Sequence, residues 1–133
     1  MRSVKKTTLA FAIISTGFAF KTLIYFFGTD LRAPLNQSKE LFENRCSQCH
    51  GIKEANQMNS YLPSSIQETV ERMQRKPESG ISSQDAEQIY EYLVYEFSRK
   101  YSSKLREQLQ ALPEEKRKQE QAKIDEISSK FGF

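Results

Sequence analysis

Both cysteines of this chain and its only histidine fall within one short run, Cys46-Ser47-Gln48-Cys49-His50. Whatever the sequence folds into has to bring the rest of itself to that run, because no other residue of either type exists to complete a site. The surroundings are light. The 133 residues are 38% hydrophobic and 28% charged, and the first thirty hold a large share of the apolar side chains. The length fits one domain, but the core left for it is that of roughly 60 to 70 residues, a size that usually leans on a disulfide, a metal or another ligand. The net charge of +3 is mild and not gathered into a basic stripe, which speaks against a nucleic-acid partner.

Arg2, Lys5 and Lys6 precede an apolar run from Thr7 to Phe27 whose only charge is Lys21. At about 1.5 Å per residue this run spans about 30 Å as a helix, the thickness of a bilayer's hydrocarbon core. The preceding positive charges orient it with its start in the cytoplasm and everything after Gly28 exported. Lys21 is near enough to the outer end to snorkel to the headgroups. The competing reading is a removable signal peptide, with Gly17-Phe18-Ala19 as a small-x-small cleavage site. Cleavage there would leave Leu23 to Phe27 at the new terminus, so a retained anchor over residues 1–28 is the expectation. Both readings place the cysteines outside the cytoplasm, on the periplasmic face of the cell membrane.

Residues 29–35 read as a linker leaving the membrane. Asn36 or Ser38 can cap a helix that reaches about Arg45, with Leu41 and Phe42 as its inward pair. Gly51 to Pro63 reads as a loop. From Ser64 or Ser65, Ile66, Val70 and Met73 recur on one face of a helix of about three turns, which stops before the turn sequence Lys76-Pro77-Glu78-Ser79-Gly80. Ser82 and Asp85 resemble a capping box. The helix they open carries Ala86, Ile89, Tyr90, Leu93 and Phe97 at helical spacing, with Val94 widening the stripe. Past Ser98 the composition turns to Lys, Arg, Glu and Gln. Leu105, Leu109 and Leu112 and then, after Pro113-Glu114-Glu115, Ile124, Ile127 and Phe131 give this stretch only thin apolar edges. No segment alternates as a strand does, so the fold class is all-α, with residues 36–100 as the domain and 101–133 as a charged helical extension. The extension reads as a solvated or partly disordered helix, or as an assembly element laid on a neighbour.

CxxCH is the attachment signature of c-type haem. Two thiols at this spacing each add across one haem vinyl group, forming thioethers, and the imidazole of the next residue is then placed to ligate the iron. A structural zinc site would need four protein ligands, and Cys46, Cys49 and His50 exhaust the supply of Cys and His. A thioredoxin-like redox pair wants a βαβ setting. A Cys46–Cys49 disulfide would close too small a loop to stabilise much.

The order of a helix carrying Leu41 and Phe42, then CSQCH, a loop, a short helix, a turn and a helix carrying EQIYEYL resembles the class I c-type cytochromes. The likeness covers roughly Asn36 to Lys100 and says nothing of the anchor or the extension. It implies a small cytochrome c fold whose first and last helices cross beside one covalent haem c, with an apolar aromatic, here Phe42, four positions before the first cysteine. It also implies a methionine from later in the chain on the other haem face.

No second histidine is available for that face, which leaves Met58 and Met73. Rounding the porphyrin edge is a path of roughly 25 Å, which the stretch from His50 to Met58 can just cover when fully extended at about 3.4 Å per residue. Met73 has slack, and its place shortly before the last helix resembles the family's usual ligand, so the expected cofactor-binding set is Cys46, Cys49, His50 and Met73. Met73 also continues the Ile66-Val70 core stripe, and a thioether fills core gaps well. Tyr61, Leu62, Pro63 and Ile81 are read either as helping to wall the haem or, equally, as packing the loop. A six-coordinate iron leaves no place for a small-molecule substrate, which points to outer-sphere electron transfer with redox protein partners and not to an enzyme. A haem-bearing accessory subunit of a respiratory or photosynthetic membrane complex, and a haem sensor or small peroxidase with an open iron, are the competing accounts.

Overall fold

Helix breakers and caps divide the chain. In the computed structural model, which describes residues 32–55 and 57–132, the described helices are α1 (Arg32–Cys46), α2 (Ile52–Ala55), α3 (Pro63–Gln74), α4 (Ser83–Lys100), α5 (Ser102–Gln110) and α6 (Glu114–Lys130). Among the described residues there is no strand, so the protein is all-α there. The apolar run over residues 7–27 lies outside the described residues. Among those described, no helix is long and apolar enough to cross a membrane.

α4 is the element the others pack on. It opens with the capping box read from the sequence: the Asp85 N–H donates to the Ser82 hydroxyl at 3.0 Å, and the Asp85 carboxylate accepts from the Ser82 N–H at 3.4 Å. The reciprocal pair satisfies two amides that a helix start leaves without intrahelical partners. Its stripe of Ala86, Ile89, Leu93, Val94 and Phe97 is buried as the spacing requires, but Tyr92 and Tyr95 are buried too. They are covered because α1, α3, α5 and α6 all pack against α4. A helix ringed by neighbours buries more than one stripe. Tyr90 stays half-buried, and burial first, then the carboxylates of Glu120, Glu126 and Glu91, push its hydroxyl up to about 12.

Two helix starts differ from the expectation. α1 begins at Arg32, so the end of the 29–35 linker is already helical, with Pro34 in the first turn, where its missing N–H costs nothing. Ser38 does not cap; it is buried and its hydroxyl donates to the Pro34 carbonyl at 3.0 Å. α3 begins one residue early at Pro63, and the loop before it contains the single turn α2.

The stretch read as a charged extension folds onto the domain. Leu105 and Leu109 of α5, Ile124 and Ile127 of α6, and Phe131 join the same core as Phe42, Ile66 and Ile89. The Tyr95 and Phe131 rings meet edge-on at 5.2 Å, and Lys130 donates to both carboxylate oxygens of Glu91 at 2.6 and 2.7 Å. Composition changes at residue 100, but packing does not: the described residues on both sides of it belong to one compact unit.

The extension also holds the chain between α2 and α3. The Gln108 side chain accepts from the Tyr61 N–H at 2.9 Å and donates to the Asn59 carbonyl at 3.1 Å. Glu120, itself buried, accepts from the Ser64 N–H at 3.0 Å. The start of α3 has no cap from its own flanking side chain. A carboxylate from α6 stands there instead, where exposed amides and the helix dipole favour negative charge.

Candidate functional site

α1 delivers the first cysteine. Phe42 and Cys46 are one helical turn apart, hence on one face, and both line a cavity of about 250 Å³. Phe42 is 3% exposed, its ring 5.5 Å from that of Tyr92. After Cys46 the helix unwinds into a turn, with the Ser47 N–H still donating to the Glu43 carbonyl at 3.3 Å. Beyond that turn His50 reaches the same cavity. Its Nδ1 lies 3.4 Å from the Gly51 carbonyl oxygen. With the ring proton on Nδ1 the imidazole keeps its Nε2 lone pair, the form that binds a metal.

The other walls come from three elements. The chain after α2 contributes Met58, α3 contributes Val70 and Met73, and α4 contributes Ile89 and Leu93. Ile81, from the turn between α3 and α4, completes the apolar lining, and Gln57, Thr69 and Arg72 add polar groups. A smaller adjoining recess of about 30 Å³ is shared by Cys46, Cys49, His50, Met73 and Ile81. All four residues expected to bind a cofactor therefore converge, and Met58 joins them.

Hydrogen bonds fix the turn that presents Met73 and Ile81. The Lys76 N–H donates to the Met73 carbonyl at 3.1 Å and the Ser79 N–H to the Lys76 carbonyl at 3.0 Å. The buried Ser79 hydroxyl donates to the Gln74 carbonyl at 2.9 Å and lies 3.4 Å from the Ile81 N–H, which donates to it. Gly80 adopts φ +58°, a left-handed conformation that a Cβ disfavours. An ion pair of 3.1 Å between Arg45 and Asp85 joins the end of α1 to the start of α4. The cysteine motif and the Ile81 turn are thereby held to one frame.

Both cysteines are free thiols, Cys46 half-buried and Cys49 exposed. Burial first, and the nearby Cys49 second, push the Cys46 thiol up to about 11. That is the opposite of a redox-active CxxC, whose attacking thiol is depressed so that thiolate is present at neutral pH. In the polypeptide without any group attached, Cys46 alkylation by iodoacetamide is expected to be slow at pH 8 and to accelerate until the pH passes about 11. Fast labelling of Cys46 at pH 7, followed by peptide mass spectrometry, would reverse this reading. Among the described residues no three of His, Cys, Asp and Glu stand close enough together to hold a metal ion.

Of the residues weighed between haem wall and loop packing, Ile81 lines the cavity and Tyr61, Leu62 and Pro63 do not. Tyr61 is instead stacked on Tyr101 at 4.4 Å and meets Phe97 edge-on at 5.5 Å, on the α5 side of α4. Met58, the less favoured ligand candidate, stands in the lining. Ile89 and Leu93 were legible as core residues, and their separation by one turn of α4 was the available sign that they share a wall.

Compared with protein-family models, with curated proteins and with solved structures, the chain has no match in any of the three.

Proposed function

We propose that the protein is a one-electron carrier of the c-type cytochrome kind, holding one haem c covalently through Cys46 and Cys49. His50 and Met73 would hold its iron. The observation that carries this reading is the convergence of a thiol, an imidazole and two thioethers on one apolar cavity, with the second thiol in the adjoining recess. The donors fit the group. Haem would bring most of its iron's ligands with it, so the scarcity of His, Cys and carboxylate there is no obstacle. Haem c supplies reversible one-electron chemistry, and a thioether on the iron favours the reduced state relative to two imidazoles.

The chain's own residues supply the rest. Phe42, Val70, Ile89 and Leu93 give the cavity an apolar lining, which would tune the potential through the local dielectric. The Gly51 carbonyl orients the imidazole. Met73 is favoured over Met58 because it also borders the recess shared by Cys49 and His50 and sits at the hydrogen-bonded end of α3. The partners are redox proteins, and no small-molecule substrate or catalytic step is needed. The Thr7–Phe27 run tethers the domain to the periplasmic face of the membrane, raising its effective concentration near those partners. With Leu105 and Leu109 buried within the protein's own core, the extension requires no neighbouring subunit to cover it, which favours the carrier over the accessory subunit of a larger complex.

Optical spectra of the oxidised and reduced protein test the ligand set. The wild type is expected to show a low-spin spectrum with the weak far-red band of a methionine-ligated ferric haem, and Met73→Ala to lose that band. An unchanged spectrum in Met73→Ala would remove Met73 from the iron.

A further inference from the structure

We propose that α5 and α6 form a polar clamp on the cavity wall, with Gln108 and Glu120 as positioning residues that keep the cavity closed to small external ligands. This rests on the haem-carrier reading above. Gln108 uses both ends of its amide on one short segment, accepting from the Tyr61 N–H at 2.9 Å and donating to the Asn59 carbonyl at 3.1 Å. Asn59 directly follows Met58, which lines the cavity. Glu120 accepts from the Ser64 N–H at 3.0 Å, at the start of the helix that carries Val70 and Met73 to the same cavity.

The two hold the segment that joins both methionines, and neither lines the cavity itself. Segment 57–62 has no helix or strand of its own. Its backbone groups must therefore find partners outside regular structure, and the Gln108 amide supplies two of them. Removing that amide returns these groups to water and raises the population of an opened wall. An opened wall would carry a methionine away from the cavity and leave room there for a small external ligand. The clamp thus keeps an electron carrier from acting as a binder of diatomic ligands.

The test uses the full-length haem-loaded protein and two readouts, carbon monoxide association with the reduced form and hydrogen exchange at the Tyr61 amide. Gln108→Ala is expected to raise both by about tenfold, the shift in open population that follows loss of two hydrogen bonds. Gln108→Glu keeps the acceptor for Tyr61 and loses the donor to Asn59, so its values are expected to lie between. Lys130→Ala serves as the control. It breaks the pairing with Glu91 at the other end of α6, and is expected to lower the melting temperature while leaving both readouts unchanged.

The clamp is overturned if Gln108→Ala leaves either readout at the wild-type value. It is equally overturned if Lys130→Ala opens the site as much as Gln108→Ala does, since general loosening would then account for both. A colourless wild-type chain would defeat the haem reading separately. Exchange at Tyr61 in that chain would still decide whether Gln108 holds the segment.

Discussion

A chain with Cys46→Ser and Cys49→Ser together is expected to be colourless when produced in a host that matures c-type cytochromes, and to weigh only its amino acids by intact mass spectrometry. Serine preserves the size and burial of the half-buried Cys46 but offers no sulfur to form a thioether. On the haem reading, only His50 and Met73 would then be left to hold the group, and noncovalent bonds do not survive the acid and organic solvent of the mass measurement. The stability cost is also expected to be large. The cavity lies against Phe42, Val70, Ile89 and Leu93, four members of a single core, and a small domain without its ligand loses the linkage that ligand binding gives to folding. Retention of a haem-sized mass increment in the double variant would show that attachment runs through other atoms.

Phe97→Ala is expected to have the largest effect of any substitution away from the cavity. Phe97 is 1% exposed on α4 and its ring meets Tyr61 and Tyr101 edge-on, both at 5.5 Å. Truncation removes the ring's burial and leaves a hole between α4, α5 and the chain before α3, at a cost of about 3–5 kcal/mol. Against a total of about 5–15 kcal/mol for an ordinary domain, this brings the protein close to unfolding at room temperature. Urea titration followed by circular dichroism measures it. A loss below about 1 kcal/mol would mean that neighbouring rings collapse into the space and that the extension is not rigidly packed there.

Local signals carried much of this. The Ser82–Asp85 pair and the Ala86-to-Phe97 stripe located α4 because capping and helical spacing are both short-range. Phe42 and Cys46 were legible as a pair for the same reason. Contacts set by distant chain were not legible. Tyr92 and Tyr95 lie off the main stripe and are buried only because α1 and α6 arrive on those sides. Glu120 looked like one more acid on a charged helix, and its partner at Ser64 lies 56 positions earlier. Pro34 pointed to a linker, yet proline is as much at home in a first turn. In the candidate site, the motif named three of the converging residues outright. The place of Met58 depended on the path of the intervening loop, which no spacing encodes.

The order in which the chain is made adds a consequence to the grip of Gln108 and Glu120. Synthesis runs from the N-terminus, so the cysteine motif, both methionines and α4 all exist before the two side chains that secure the segment between the methionines. Until those last helices emerge, the Tyr61 and Ser64 amides and the Asn59 carbonyl lack the side chains that pair with them in the finished fold, so this wall of the hollow takes its final form only when the tail of the polypeptide is complete.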